Sequence, residues 1–233
     1  MEHRPVRPAA SDVARVKTTH AVSDVLIVDD HPLMCDALAA TLSYAFGLRK
    51  VRSAPSLAGA LENIREEGPP DAVALDLGLP DAEGVEGVIT LRRQIGDAPL
   101  AVISADQDPG VVAAVLAAGA RGYVGKLLPR ARMVDAFARI WAGETVVPEG
   151  FETASSAVDE AATLARNFAT LTPQQMNILR LICQGRPNKI ISYELSIAEA
   201  TVKTHIAAIM AKINVRNRTQ AALLANKARI FSR

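Results

Sequence analysis

Residues 25–30 read Val-Leu-Ile-Val-Asp-Asp, a short aliphatic run that ends in two carboxylates. A second run, Ala72-Val73-Ala74-Leu75, ends in the same way at Asp76. Such runs are typical of strands that are buried on both faces, as in a parallel sheet. A carboxylate at the end of a buried strand is unfavourable unless something there uses its charge. The two runs therefore predict a parallel sheet with an acidic site at one edge.

Two further strand-like runs end in polar residues that complement these acids. Ser104 follows Ala101-Val102-Ile103, and Lys126 comes just after Gly122-Tyr123-Val124. Taken singly, each residue has an ordinary explanation, because Asp and Ser cap helices and form turns and Lys is usually a surface group. Ligands of doubly wound sheets, however, bind beyond the carboxyl ends of the strands. The four signals together therefore favour one shared site.

The first part of the chain alternates short apolar runs with amphipathic segments. We predict strands at 24–29, 49–53, 71–76, 98–103 and 121–124, and helices at 32–45, 56–66, 84–95, 109–118 and 130–141. Five such βα units predict an α/β doubly wound, five-stranded parallel sheet of the flavodoxin-like kind. The strand at 49–53 is unusual, since Arg49, Lys50 and Arg52 interrupt it.

Charge divides the chain into an acidic part and a basic part, although the net charge is only +1. Residues 21–148 carry a net charge of −6, residues 149–165 carry −4, and residues 166–233 carry +9. This division indicates a regulatory unit and a unit that binds a polyanion. It also motivates the hypothesis that the acidic part docks on the basic part.

The sequence also predicts the domain boundaries and the cellular location of the protein. We expect a disordered tail at 1–22, an α/β domain at 23–142, a linker at 143–168 and a small all-α domain at 169–233. No apolar run reaches the ~18–20 residues of a membrane span, and the first residues lack the hydrophobic stretch of a secretion signal. Cys35 and Cys183 lack metal-ligand or redox spacing. We therefore expect a cytoplasmic protein with reduced thiols and no membrane partner.

The residues at the predicted sheet edge suit a divalent cation and a phosphoryl group. Asp30, Asp76 and a backbone carbonyl offer the hard oxygen ligands that Mg²⁺ prefers, with water completing the octahedron. Asp29 would act mainly through water and charge. A carboxylate beside such a cation can act as a nucleophile toward phosphorus. Ser104 could then hydrogen-bond one phosphoryl oxygen, while Lys126 pairs with another as a point charge.

The basic part shows three helix-start signals in a row. Thr172-Pro173-Gln174-Gln175 and Ser196-Ile197-Ala198-Glu199 match capping boxes, and Asn217 matches a third cap. A short helix is predicted between Pro187 and Leu195, and a long one at 199–213. The predicted order is helix, short helix, tight turn, long helix and closing helix.

The long helix separates an apolar face from a face suited to double-stranded DNA. Val202, Ile206, Ile209 and Ile213 should be buried, whereas the opposite side carries Lys203, Thr204, Ala207, Ala208 and Ala211. Lysine can reach guanine acceptors, and alanine and threonine methyls can contact thymine methyls. The predicted phosphate contacts around it are Lys189, Thr201, Lys212 and Arg216. The alternative is a solvated basic face.

Residues 23–142 resemble the receiver domain of bacterial two-component response regulators. The matching features are Asp29-Asp30, Asp76 with Pro80, Gly84, Ser104-Ala105 and the run from Ala118 to Lys126. The resemblance implies that Asp76 is the phosphoacceptor, carrying a 4-aspartylphosphate, and that Ser104 and Lys126 bind the phosphoryl group. It further implies that Asp29, Asp30, Asp76 and the Gly78 carbonyl hold Mg²⁺, and that Tyr123 changes rotamer in the switch.

Three positions in this domain bear on its detailed behaviour. Lys126 precedes Leu127, where proline is common in receivers. Gly78, two residues after Asp76, has no side chain to shield an acyl phosphate from water. Asp106, two residues after Ser104, could orient or repel that water. The rate of acyl phosphate hydrolysis therefore stays open.

The basic domain closely resembles the LuxR-type helix-turn-helix. The matching segments include 171–173, 187–190, 195–197, 201–205 and 215–221. Together the two resemblances describe a NarL/FixJ-type response regulator, which implies a sensor histidine kinase as partner and a homodimer on DNA after phosphorylation. Two alternatives are a DNA-binding regulator whose receiver does not control it by phosphorylation, and an aspartyl-phosphate phosphatase. A phosphatase would need a substrate cap that this chain lacks, so we expect a regulator and not an enzyme.

Overall fold

The computed structural model describes residues 22–151 and 156–231 of the chain. Its main sheet contains the strands β1 (Asp24–Val28), β2 (Lys50–Ala54), β3 (Ala72–Asp76), β6 (Leu100–Ser104) and β7 (Gly122–Gly125). Their order is β2-β1-β3-β6-β7, and every neighbouring pair is parallel. This confirms the predicted doubly wound five-stranded sheet. The tail predicted at residues 1–22 lies outside the described residues apart from Val22.

Helices alternate with these strands as the sequence predicts. They are α1 (Pro32–Phe46), α2 (Leu57–Glu67), α3 (Glu86–Ile95), α4 (Pro109–Ala117) and α5 (Arg130–Trp141). The observed ends of these strands and helices lie within two residues of the predicted ones. A small antiparallel hairpin that the sequence pattern does not predict, β4 (Gly78–Leu79) with β5 (Ala82–Glu83), lies directly after Asp76.

The charged second strand is stable because its buried arginine has hydrogen-bonding partners for all three of its guanidinium nitrogen atoms. Arg52 is 5% exposed, and its Nε and Nη2 atoms donate to the two carboxylate oxygens of Asp24 at 2.9 and 2.8 Å. Its Nη1 atom donates to Asn63 and to the carbonyl of Gly68. A planar guanidinium matches a carboxylate in this two-point geometry. The arginine that interrupts the apolar pattern therefore ties β2 to β1 and α2.

The helical domain follows the predicted order. Its elements are α6 (Ser156–Ala169), which occupies much of the predicted linker, then α7 (Pro173–Cys183), α8 (Asn188–Glu194), α9 (Glu199–Lys212) and α10 (Arg218–Lys227). Thr172 and Gln175 form the predicted capping box, and Asn217 caps α10. None of the helices in the described ranges is long and apolar enough to cross a membrane.

The capping box predicted at Ser196 is wrong. Ser196 has a φ of 53°, and α9 begins only at Glu199 with Ala198 as an uncapped N-cap. The left-handed backbone makes the tight turn between α8 and α9, and it removes Ser196 from the N-cap position. The turn takes precedence over the cap because it sets the angle between the two helices.

The two domains pack against each other through α4 and α6. Helix α4 is apolar nearly all round, and Val111, Val112 and Val115 are buried. Helix α6 packs along it with Leu164, Ala165 and Phe168 buried. A helix that is hydrophobic on every side needs cover on every side. One continuous apolar core therefore extends from the sheet into the helical domain.

Polar contacts across the interface match the charge division of the chain. Glu86, only 3% exposed at the start of α3, is paired with the guanidinium of Arg180 in α7. Arg93 donates to the backbone carbonyls of Ala169 and Leu171. Burial raises the pKa of the Glu86 carboxyl, and Arg180 opposes that rise only in part. The acidic part is thus in contact with the basic part, as hypothesised. The dependence of this contact on phosphorylation stays a prediction.

The Arg180→Met substitution should destabilise the full chain by about 1–3 kcal/mol, because it leaves a buried carboxylate without a donor. The loss should shrink from neutral to mildly acidic pH. A raised carboxyl pKa means that the folded state binds the proton more tightly, so protonation of Glu86 favours folding and removes the need for Arg180. Urea denaturation at several pH values measures this. Arg139→Met, which breaks the exposed Arg139–Glu144 pair, is the control and should have little effect. A pH-independent deficit in Arg180→Met would contradict this account.

Candidate functional site

Four strands of the sheet deliver the predicted site residues to one edge. Asp29 follows β1, Asp76 ends β3, Ser104 ends β6, and Lys126 follows β7. The parallel register pairs Val28 with Leu75, Asp76 with Ile103, and Ser104 with Gly125, so the strand ends are level. The strand order reverses between β1 and β3, which is where such sheets bind ligands.

The ammonium of Lys126 lies between two buried carboxylates. Its Nζ atom is 2.9 Å from Oδ2 of Asp29 and 2.9 Å from Oδ2 of Asp76. Asp29 is 4% exposed and Asp76 is 6% exposed. Burial alone would lower the pKa of Lys126, but its hydrogen bonds to Asp76 and Asp29 and their charges outweigh burial, so the pKa is raised. Lys126 therefore stays charged and holds both acids within one cluster.

The acids also form a cluster with ligand atoms at metal-binding spacing. Four potential ligand atoms lie within 4.8 Å of one another, one from each of Asp29, Asp30, His31 and Asp76. Oδ1 of Asp30 is buried and lies 2.7 Å from Nδ1 of His31, without the geometry of a hydrogen bond. An unsatisfied carboxylate oxygen among other acids fits a hard cation such as Mg²⁺. The residues present therefore fit the predicted metal.

His31 is a member of this cluster that the sequence analysis missed. Its backbone N–H donates to Oδ1 of Asp29 at 2.9 Å, and its ring Nδ1 lies 3.1 Å from the same oxygen. The imidazole is 70% exposed. Its position directly after Asp29-Asp30 was the available signal. The residue orients the Asp29 carboxylate toward the cluster.

Gly78 lies beside the predicted phosphoacceptor, in the short strand β4. A Cβ atom added there would be 3.4 Å from Oδ2 of Asp76. The glycine therefore places no side chain of its own beside that oxygen, which Lys126 contacts from another residue position. This is the geometry expected where a phosphoryl donor must reach a carboxylate.

Ser104 and Tyr123 both hold the loop that follows β6. Oγ of Ser104 accepts a hydrogen bond from the backbone N–H of Asp106 at 3.2 Å. Tyr123, 1% exposed, donates its hydroxyl to the backbone carbonyl of Asp106. Burial raises the pKa of Tyr123, and a hydrogen bond with Ser104 partly opposes this. The two predicted switch residues therefore meet at one peptide segment.

The predicted DNA-contacting residues are all exposed while the two domains are packed together. Val202, Ile206, Ile209 and Ile213 are buried as predicted. The exposed set on and around α9 is Lys189, Thr201, Lys203, Thr204, Ala207 and Lys212. The packing of the receiver domain therefore does not cover the face that we predict to read DNA.

The ammonium of Lys212 is held by groups outside its own helix, whereas the ammonium of Lys203 pairs within α9, with Glu199 at 3.2 Å. Its Nζ atom is 2.8 Å from the carbonyl of Thr170 and 2.8 Å from Oε1 of Gln175. Gln175 is buried and belongs to the capping box of α7. Lys212 thus ties α9 to the start of α7. A DNA phosphate that contacts Lys212 would have to share its ammonium with the oxygens of Thr170 and Gln175.

Two family models match the chain at the positions of the two domains. Residues 25–138 match the response regulator receiver domain, and residues 169–225 match the bacterial regulatory proteins of the luxR family. The chain is 34% identical over 207 residues to the glycerol metabolism activator of Pseudomonas putida, covering 86% of this chain and 94% of that protein. It is 32% identical over 209 residues to the nitrate/nitrite response regulator NarL of Escherichia coli K12, covering 89% and 96%.

Solved structures with both domains are similar in fold. RcsB of Salmonella enterica serovar Typhimurium, bound to the promoter P1flhDC with the phosphomimetic BeF3⁻, gives a TM-score of 0.53 at 19% identity. The alignment covers 89% of this chain and 99% of that chain. A second RcsB structure gives 0.52 at 20% identity, again with 89% and 99% coverage. At such identities the likeness concerns the fold alone. With the family models and the closer sequence relatives, these observations show that the chain belongs to the two-component response regulators that join a receiver domain to a LuxR-type DNA-binding domain.

Proposed function

We propose that this protein is a transcriptional regulator whose DNA binding is switched by phosphorylation of Asp76. The observation that carries the proposal is the ammonium of Lys126, 2.9 Å from both Asp29 and Asp76 at the carboxyl edge of the sheet. A nucleophilic carboxylate, a fixed cation and an acidic metal cluster are the parts that phosphoryl transfer needs. The receiver-type family model supports the same chemistry.

In the proposed reaction a carboxylate oxygen of Asp76 attacks phosphorus on a phosphohistidine of a sensor kinase. The phosphorus–nitrogen bond breaks and an acyl phosphate forms on Asp76, while the imidazole of the kinase leaves with the electron pair. Lys126 exchanges its contact with the Asp76 oxygen for a contact with a phosphoryl oxygen. Positioning and charge neutralisation supply most of the rate in such transfers, because little other chemistry is required of the protein.

Mg²⁺ would be held by Asp30, Asp76 and the carbonyl of Gly78, with Asp29 acting through water. When bound, the ion neutralises charge on the phosphoryl group and the acids. Asp29 keeps its contact with Lys126 on the other side of the cluster. Two cations thus share the charge of three carboxylates, which allows the acids to lie close together.

The switch follows from the two hydrogen bonds at Asp106. When Oγ of Ser104 turns toward a phosphoryl oxygen, it gives up the N–H of Asp106. Tyr123, which is already buried beside Ser104, then repacks into the space that Ser104 leaves and releases the carbonyl of Asp106. The β6–α4 loop and α4 are thereby freed to shift, and α4 packs on α6 of the neighbouring domain.

At the DNA end, we propose that a homodimer sets two α9 helices in adjacent major grooves about one turn apart. RcsB is described as two dimers bound to two parallel DNAs. In this chain the exposed face of α9 supports the same use. We include in this proposal a sensor histidine kinase as the phosphoryl donor, a homodimer after phosphorylation, and a cytoplasmic location.

One observation favours a second candidate function, namely DNA binding that the receiver does not control. Lys203 and the exposed residues around it stay accessible while the receiver is packed against the helical domain. Under the favoured function the receiver therefore acts through the geometry of the dimer and not by covering α9. Phosphorylation-independent DNA affinity in a protein that takes up phosphoryl groups would support the second candidate.

Asp76→Asn should abolish labelling by acetyl phosphate, because an amide cannot form the acyl phosphate. It should also abolish any rise in DNA affinity on addition of acetyl phosphate. Intact mass and fluorescence anisotropy with operator DNA measure the two effects. Asp36→Asn, an exposed acid on α1, is the control and should label normally. Continued labelling of Asp76→Asn would overturn the assignment of Asp76.

Asp30→Asn should weaken Mg²⁺ binding by roughly tenfold or more, since it keeps an oxygen but removes a charge from the cluster. Isothermal titration calorimetry with Mg²⁺ on the unphosphorylated protein measures this. Asp36→Asn again serves as the matched acid outside the cluster. Equal affinities for both variants would place the metal elsewhere.

Lys203→Ala should cost about 1–3 kcal/mol on a specific site and relax base preference, because it removes a base contact. Lys189→Ala should instead weaken all sequences alike and flatten the dependence of affinity on salt. Selection of bound DNA from a random pool, followed by titration at several salt concentrations, separates the two. If Lys203→Ala lowered the affinity for all DNA sequences equally, Lys203 would be a phosphate contact and not a base contact.

A further inference from the structure

The last described residues of the chain lie on the receiver domain and not in solvent. The backbone carbonyls of Arg229 and Ile230 accept hydrogen bonds from the N–H groups of Val85 and Glu86, each at 3.3 Å. These N–H groups belong to the start of α3, where a helix has donors without partners. A Cβ atom added at Gly84 would overlap the carbonyl oxygen of Arg229. Residues 229–230 therefore bind the start of α3, and this close approach requires glycine at position 84.

The side chain of Arg229 binds the loop that the switch residues hold. Its Nη1 atom is 3.0 Å from Oδ2 of Asp106, and its Nη2 atom is 3.5 Å from Oδ2 of Asp108. Asp106 is the residue whose N–H is bonded to Ser104 and whose carbonyl is bonded to Tyr123. One residue of the DNA-binding domain thus contacts the same peptide segment as both proposed switch residues.

The backbone of Arg229 is unusual for an arginine. Its φ is 47°, and it occupies the left-handed position that follows α10. The N–H of Arg229 donates to Asn226 and that of Ile230 donates to Ala225, which together form a Schellman motif. Glycine is the usual residue at this position. An arginine there is disfavoured by its backbone, and what it adds is a guanidinium directed at Asp106 and Asp108.

We propose that Arg229 is a latch that couples the phosphorylation state of Asp76 to the contact between the two domains. The proposal rests on the proposed function, because it requires that Asp76 is phosphorylated. Movement of Ser104 and Tyr123 releases both backbone groups of Asp106, and the carboxylate of Asp106 shifts with its loop. Arg229 then loses its partner, and the segment 229–230 separates from α3.

Coupling of this kind is reciprocal. If phosphorylation weakens the hold on Arg229, then removal of Arg229 must favour phosphorylation by the same factor. The ion pair is about half exposed, so the factor is small, roughly two- to fivefold. The backbone contacts at Val85 and Glu86 report on the latch directly, since their N–H groups exchange with solvent only when the segment leaves.

The test uses Arg229→Gly in the full chain. Glycine suits the left-handed backbone, so the variant keeps the end of α10 intact and removes only the guanidinium. Asn214→Gly, at the left-handed residue that follows α9, is the matched control. Hydrogen exchange at Val85 and Glu86 is measured with and without acetyl phosphate and Mg²⁺, with intact mass to verify phosphoryl uptake. Reversible binding of the phosphomimetic BeF3⁻ in the presence of Mg²⁺ is titrated separately by calorimetry.

In the wild type and in Asn214→Gly, phosphorylation should speed exchange at Val85 and Glu86. In Arg229→Gly that exchange should already be raised roughly two- to fivefold without phosphodonor. BeF3⁻, which binds reversibly in place of the phosphoryl group, should reach half-saturation at a correspondingly lower concentration in this variant. The latch would be overturned if Arg229→Gly left exchange at these two amides unchanged, or if it bound BeF3⁻ no more tightly than the wild type does. If the wild type fails to label, the proposed function is contradicted. The comparison of exchange rates without phosphodonor would still show whether Arg229 holds residues 229–230 on Val85 and Glu86.

Discussion

The neutralisation of Asp29 and Asp76 by the ammonium of Lys126 is the interaction on which the rest of the receiver domain depends. Two carboxylates at the ends of adjacent buried strands repel each other, and their burial is tolerated only with a cation between them. Lys126 comes from β7, two strands away from β3, so the pairing requires the whole sheet to form in the correct order. The cluster that can bind a phosphoryl group is therefore also a constraint on the fold. Loss of the ammonium would disturb both the charge balance and the packing of the β7 end.

The same cluster explains how a local event can reach a distant DNA-binding face. Ser104, Tyr123 and Asp106 connect the edge of the sheet to the loop before α4, and α4 is covered by α6. Because the apolar core is continuous across the two domains, a shift of α4 cannot be absorbed locally. The receiver leaves the exposed side of α9 open, so under the proposed function control operates through how the domains are held and not through access to Lys203. The Glu86–Arg180 pair fits this role, because separation of the domains would leave the buried Glu86 carboxylate without this donor.

Some features were predicted from the sequence because they depend on local chemistry. The alternation of apolar runs and amphipathic segments located the strands and helices of the sheet domain, and caps such as Thr172 and Asn217 located helix starts. The cap at Ser196 failed because the same residue type also makes turns, and only the angle between α8 and α9 selects between the two. The hairpin after Asp76 was missed because strands of two residues leave no periodicity. The fully apolar α4 was a usable sign of a second packing surface, and that sign was not used.

Residue type and spacing by themselves determined the fold class, the family and the identity of the groups at the sheet edge. They did so because few stable structures place a charged or polar residue at the end of a buried strand, and fewer still place four such strand ends together. Only the tertiary structure decided which groups contact each other: Lys126 between two acids, His31 beside them, Lys212 committed to Gln175, and Arg229 on Asp106. Apart from the contact of His31 with Asp29, which is two residues away, these contacts join positions far apart in the chain. Their formation depends on strand order and on the angle between the domains, and neither is encoded in any local pattern.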